Sequence, residues 1–169
     1  MKKDLITGIA AQDSSFLAEL LLSKGYEVHG IIRQEAAEDS KNRSGSIESI
    51  VDKLCLHVGA IENQLSVYKV IAQVLIDECY HLASSSFVSY NFEHAVSLLE
   101  NNFLVTHALM ASIKELTPSC PVYFAGSSEM FGDARLSPQN KQTPFNPRSV
   151  YGISKLAAFH LARNYREHH

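Results

Sequence analysis

Tyr151 and Lys155 are spaced four apart in the segment Tyr151-Gly152-Ile153-Ser154-Lys155. On a helix that spacing puts both side chains on one face, about one turn from each other. An ammonium beside a phenol favours the phenolate and draws its pKa toward neutrality. Tyr151 can then act as a general base or acid. The spacing alone is common, and it equally describes two surface residues on a helix. A second group lies shortly upstream, in Gly126-Ser127-Ser128-Glu129-Met130-Phe131-Gly132. There Ser127 offers a hydroxyl to a substrate oxygen, and Glu129 offers a carboxylate for proton transfer. Glu129 could instead only cap or form an ion pair.

The opening of the chain suggests a phosphate-binding turn. Thr7-Gly8-Ile9-Ala10-Ala11-Gln12-Asp13-Ser14-Ser15 follows an apolar stretch and precedes a helical pattern. In such loops the first glycine makes the turn, the second lets backbone approach a pyrophosphate, and the third lets helix pack on strand. The pyrophosphate rests on the N–H groups of the helix start, here Ala11, Gln12 and Asp13. On a G-x-x-G-x-x-G spacing only Gly8 is kept, with Ala11 and Ser14 at the other two positions. Ser14 is small and could cap the helix. Loss of these glycines is expected to weaken cofactor binding. Arg33 closes the run Gly30-Ile31-Ile32-Arg33, where an NAD site usually carries an acid. A cation there suits a 2′-phosphate, with Arg43 assisting, or is simply a solvated arginine.

These residues need strands and helices to position them. The pattern predicts strands at Asp4–Thr7, Glu27–Ile32, Leu54–Val58, Glu78–Ala83 and Pro121–Ala125. Helices are predicted at Ser15–Lys24, Gln64–Val74, Phe92–Leu116 and Val150–Arg166, with loops over Arg33–Ser46 and Gly126–Arg148. Gly25 stops the first helix from the C′ position. Thr117-Pro118 ends the third, because proline disfavours helix at the residue before it. Strands alternating with helices imply an α/β class and a doubly wound parallel sheet. The expectation is one domain over residues 1–169.

Longer segments resemble the GDP-mannose 4,6-dehydratase family of extended short-chain dehydrogenase/reductases, the NAD-dependent epimerase/dehydratases. They are Leu5-Ile6-Thr7-Gly8-Ile9, Lys24-Gly25-Tyr26-Glu27-Val28-His29-Gly30-Ile31-Ile32-Arg33, Ser127 to Gly132, Thr143 to Gly152, Ser154 to Ala158 and Asn164 to Glu167. The resemblance implies a Rossmann-like NADP-binding domain, cut before the smaller substrate domain, with a nucleotide-sugar substrate of the GDP-mannose type and a homo-oligomeric state. It implies Tyr151, held by Lys155, acting on the sugar 4-hydroxyl, with Ser127 in place of the family's usual threonine. Glu129 would act at C5 and C6. Gly8, Ala11, Gln12, Asp13, Arg33, Leu82, Tyr151 and Lys155 would hold NADP, Ser86 would lie near substrate, and Asn102 would be structural. Ala60 stands where the family carries an aspartate near the adenine, Phe87 replaces a histidine, and Val150 replaces a proline. With the GDP-holding half beyond residue 169, the isolated chain is expected to show no turnover. The competing expectations are a degenerate module that acts by protein association, and another NADP-dependent sugar-nucleotide epimerase or reductase.

Composition narrows the remaining classes. The net charge is −3, 20% of residues are charged and 46% are hydrophobic. No basic run suggests nucleic acid or an anionic membrane. No stretch approaches the roughly 20 apolar residues of a membrane span, and a cytoplasmic setting is expected. Cys55, Cys79 and Cys120 are far apart and suggest buried thiols of a reducing compartment. The eight histidines show no metal-ligand spacing in sequence, so no metal site is expected. The closing pair, His168-His169, is set aside.

Overall fold

A computed structural model describes residues 1–34, 45–85 and 92–168. The chain forms two compact units, residues 1–83 with 108–124 and residues 84–107 with 125–169.

The first unit is built on five parallel strands: β1 (Lys3–Thr7), β2 (Glu27–Ile32), β3 (Cys55–Val58), β4 (Glu78–His81) and β5 (Val122–Phe124). Their order is β3-β2-β1-β4-β5, the doubly wound sheet that the alternating pattern implied. The order reverses between β1 and β4, and the carboxyl ends of those strands form the crevice where such sheets take ligands.

Helices cover both faces because the strands are apolar on both. Leu5 and Ile31 pack on one face with Val67, Val70, Ile71, Leu109 and Ile113. These come from α2 (Gln64–Val74) and the last turns of α3 (Phe92–Leu116). Ile6, Val28 and Ile32 pack on the other face with Ala18 and Leu21 of α1 (Gln12–Ser23), and with Ile47 and Ile50 beyond it.

Helix ends follow local chemistry. α1 stops at Lys24, with Gly25 at φ +78°. Gly25 N–H donates to the Leu22 carbonyl and Tyr26 N–H to the Leu21 carbonyl, which satisfies the last orphan acceptors. Asn63 caps α2 by accepting from Leu65 N–H and Ser66 N–H. The start of α1 differs from expectation. It begins three residues early, after Ala11, whose side chain makes no capping bond. Ser14 is therefore no cap. It sits inside the helix, fully buried, and its hydroxyl has no hydrogen-bond partner among the described residues. The expected loop after Arg33 contains a 3-10 turn at Gly45–Ile47, and its residues 35–44 lie outside the described ones.

One core residue is charged by type. Asp4, in the middle of the sheet, has no exposed surface, and neither carboxyl oxygen has a hydrogen-bond partner among the described residues. Burial, helped by the Glu78 carboxylate, pushes its pKa up to about 7. Below about pH 7 Asp4 therefore sits in the fold as a neutral acid.

The second unit contains the start of α3, a 3-10 turn at Ser128–Met130, the loop up to Ser149, and α4 (Val150–His168). Phe145 packs between Phe131, tilted with ring centroids 5.0 Å apart, and Phe159, edge-on at 5.4 Å, which anchors the loop's far end on α4. None of the described helices is long and apolar enough to cross a membrane.

Candidate active site

Gly8 follows β1 directly with φ +74°, a conformation that costs any L side chain energy. A Cβ there would lie 3.0 Å from the Ala83 Cα and 3.1 Å from its nitrogen. Both conformation and space thus require glycine, and the chain leaving β1 passes tight against the chain leaving β4. Thr7 ties the same two ends, its Oγ1 accepting from Ala83 N–H at 3.1 Å and lying 2.8 Å from His81 Nδ1. Gly30 in β2 leaves room for Ile9, since a Cβ would come within 2.8 Å of that side chain. The loop is thereby seated over the sheet.

Ala11 N–H bonds back to the Gly8 carbonyl at 3.0 Å, closing the turn. Ala11 itself has φ −82° and ψ 161°, which alanine adopts without strain. Ala11, Gln12 and Asp13 are all exposed. With no side-chain cap, the first N–H groups of α1 face solvent and remain open to an anion. The Asp13 carboxylate occupies the same first turn and competes for it. Leu82 packs partly into the core on the α1 side of the sheet. Arg33 is exposed but engaged, because its guanidinium donates to the Glu62 carboxylate. Glu62 was not singled out from sequence, and it stands two residues after Ala60.

Ser127, Glu129, Tyr151 and Lys155 all fall in the second unit. Ser127 precedes the 3-10 turn in extended conformation and caps it, its Oγ accepting from Glu129 N–H at 3.2 Å. Its own O–H is still available as a donor. Ser149 plays the same part for α4, and its Oγ accepts from Gly152 N–H at 3.0 Å. The Ser149 hydroxyl then donates to Glu129 Oε2 at 2.9 Å. One hydroxyl thus caps the helix and holds the carboxylate.

Glycine again marks the closest approach. A Cβ on Gly152 would collide with the Glu129 carbonyl oxygen. The turn carrying Ser127 and Glu129 packs backbone against the first turn of the helix carrying Tyr151 and Lys155. Gly132, at φ +49°, lets the chain reverse, and Asn146 N–H donates to the Met130 carbonyl to close the loop at its base. Lys155 is 4% exposed, and burial lowers its pKa to about 8. Tyr151 is half-buried one turn earlier.

Asn102 of α3 organises the adjoining chain. Its Oδ1 accepts from Ser85 N–H and the Ser84 hydroxyl, and its Nδ2 donates to the Ser85 carbonyl and to Ser154 Oγ. Every hydrogen-bonding position of the amide is filled. Ser86 and Phe87 lie outside the described residues, as does Arg43.

The structure corrects one further expectation. Cys55 is exposed on β3, while Cys79 and Cys120 are buried, and all three are free. The histidines, scattered in sequence, partly gather in space. His29 and His57 stack on neighbouring strands beside Glu27 and Cys55. Their signal was the doublet pattern Glu27-x-His29 and Cys55-x-His57 on two predicted strands.

A family model described as GDP-mannose 4,6 dehydratase matches residues 5–169. The GDP-mannose 4,6 dehydratase of Cricetulus griseus is 38% identical, over 98% of this chain and 46% of its own length. That of Homo sapiens is 38% identical, over 96% of this chain and 45% of its own. The chain spans about half the length of these curated relatives. Among solved structures, the UDP-glucose 4-epimerase of Bifidobacterium longum, in complex with NAD+ and UDP, superposes with a TM-score of 0.81. It shares 22% identity, covering 96% of this chain and 48% of the epimerase, and so speaks to the fold alone. Taken with the family model and these relatives, the parallel sheet and the turn joined to α4 show that the chain belongs to the GDP-mannose 4,6-dehydratase family.

Proposed function

We propose that the chain supplies the NADP-binding and proton-transfer parts of a GDP-mannose 4,6-dehydratase, which converts GDP-mannose to GDP-4-keto-6-deoxymannose and water. The observation that carries this reading is the backbone contact at Gly152, which joins the Ser127–Glu129 turn to the start of the Tyr151–Lys155 helix.

The first unit's residues fit a dinucleotide. The Gly8 turn and the uncapped start of α1 leave the Gln12 and Asp13 N–H groups for a pyrophosphate, with Ala11 exposed beside them in the turn. Leu82 lies beside that strand end, and Arg33 would take the 2′-phosphate after release from Glu62. NADP held by these residues would supply the hydride acceptor and then the hydride donor. Tyr151 removes the proton of the sugar 4-hydroxyl, and the Lys155 ammonium steadies the tyrosinate. Ser127 donates to the same sugar oxygen. Glu129 takes the proton at C5 and passes one to the departing C6 hydroxyl, and the proton that Tyr151 took is given back at C5 as hydride returns to C6, so the sugar loses water with no net redox change. Ser149 keeps the Glu129 carboxylate aimed. Ser86 would contact the sugar. A homo-oligomer and a cytoplasmic setting belong to the same reading, as does a single NADP-binding domain over residues 1–169.

Two observations favour a second reading, a dinucleotide fold that acts by association without cofactor. They are the buried, unpaired Ser14 hydroxyl at a glycine position and the Glu62 carboxylate on Arg33. Titration with NADPH, followed by nicotinamide fluorescence with NADH as control, separates the two. Saturable binding that prefers NADPH is the expected result. No binding at millimolar NADPH would sink the enzyme reading and leave the association module.

A further inference from the structure

The flank of the sheet carries a cluster that the proposed reaction does not use. Glu27 and His29 stand two apart on β2, so both project from one face. β3 runs parallel to β2, with Cys55 opposite His29 and His57 opposite Ile31, which puts Cys55 and His57 on that same face. One ligand atom each from Glu27, His29 and Cys55 lies within 4.8 Å of the other two. His29 Nε2 is 2.9 Å from Glu27 Oε1, and His29 Nδ1 is 2.9 Å from His57 Nε2. The two imidazoles stack with centroids 5.2 Å apart. His29 is buried, whereas Cys55 is open to solvent, which gives an ion a way in.

The geometry points to a binding site for a divalent transition ion of the zinc type, ligated by Glu27, His29 and Cys55, with His57 orienting His29. An imidazole, a thiolate and a carboxylate form a mixed, borderline-soft donor set. That set suits zinc and its neighbours and not magnesium or calcium, which take oxygen donors. With metal–ligand distances of about 2.0–2.3 Å, ligand atoms in a tetrahedral site stand roughly 3.3–3.6 Å apart. The Glu27–His29 pair, at 2.9 Å, opens by about half an ångström to reach that spacing. Cys55, exposed on an edge strand, closes the remainder by side-chain rotation.

The ion takes the place of the proton between His29 Nε2 and Glu27. His29 then carries its proton on Nδ1 and donates it to His57 Nε2, the outer hydrogen bond that fixes a ligating imidazole. Ligation and the outer hydrogen bond both use neutral imidazoles. The one proton released is that of the Cys55 thiol, and no electron is transferred. Three protein ligands leave a fourth position for water. The bound ion ties the edge strand β3 to β2.

The test is titration of the intact chain with Co2+, read by its visible bands and by a thiolate-to-cobalt charge-transfer band in the near ultraviolet. One Co2+ per chain is expected, displaced by Zn2+, with affinity rising with pH as the thiol ionises. Cys55→Ser should abolish the charge-transfer band. Glu27→Gln should weaken binding and keep the band. His57→Ala should weaken binding about tenfold with the band retained, as loss of an outer partner does. Replacing His168 and His169 by Ala should change none of this, which separates the site from the terminal histidines. Far-ultraviolet circular dichroism checks that each variant is folded. No charge-transfer band at excess Co2+, a band that survives Cys55→Ser, or a band lost with the terminal histidines would overturn the assignment.

Discussion

Replacing Asp4 by Asn should remove most of the acid-side pH dependence of stability that this buried carboxyl creates. Its pKa rises from an ordinary 3.8 to about 7 in the folded chain, chiefly through burial. A group whose folded pKa is raised binds its proton more tightly when folded. Its contribution is therefore complete below the unfolded value and declines as pH climbs toward the folded one. At 1.36 kcal/mol for each pH unit between the two values, the full swing is at most about 4 kcal/mol. Asn keeps the shape of the protonated acid but cannot ionise. Urea unfolding midpoints of wild type and Asp4→Asn, taken from pH 4 to pH 8, give the difference curve. His29 and His57 are held low by burial and lose stability in the opposite direction as pH falls, but they are common to both proteins and cancel. The expected difference falls by about 1.4 kcal/mol per pH unit up to about pH 7 and then levels. Parallel curves across that range would refute the reasoning.

Three further outcomes are expected. Lys155 is buried with its pKa lowered to about 8 from 10.5, so below pH 8 the fold carries a charge that burial opposes. Stability contributed by such a group rises as pH passes from 8 to 10.5, and Lys155→Met should stabilise the chain at pH 7 by up to roughly 3 kcal/mol, seen as a higher Tm. Ser14→Ala removes a buried hydroxyl without a partner from inside α1 and should raise stability by about 1 kcal/mol in urea unfolding. Glu62→Gln frees Arg33 and should tighten NADPH binding by up to about fivefold, the scale of an exposed ion pair, with NADH unchanged in the fluorescence titration.

The sheet was legible because each strand is a short apolar run set between helical patterns, and parallel pairing needs no more than that. β2, α2 and α3 begin and end at the residues expected, since Gly25, Asn63 and Pro118 are strong local punctuation. The start of α1 was misplaced because its N-cap is an alanine without a capping side chain, and the eye goes to the serines behind it. Asp13 in the first turn was the better marker. In the site, the segments bearing Ser127, Glu129, Tyr151 and Lys155 were visible, because each lies in a local stretch whose spacing has meaning. The Ser149 bridge and the need for glycine at 152 were not, because both depend on two segments meeting in space. The Arg33–Glu62 pair and the Glu27, His29, Cys55 and His57 group share that difficulty. Their partners are 26 to 29 residues apart, and only the register of β2 on β3 or the loop after β3 brings them together.

The contact at Gly152 is made between main chains, and this shapes how such a site can diversify. The spacing between the 3-10 turn and α4 is fixed by a glycine Cα against a carbonyl oxygen. The Ser127 side chain adds one hydrogen bond within the turn and the Glu129 side chain adds one to Ser149 at the start of α4, each on the order of 1 kcal/mol. Exchanging them alters which donor and which carboxylate the turn presents, while the frame stays in place. A lineage, or a designer, can thus change the chemistry on offer at two positions without rebuilding the scaffold, provided that residue 152 never acquires a side chain.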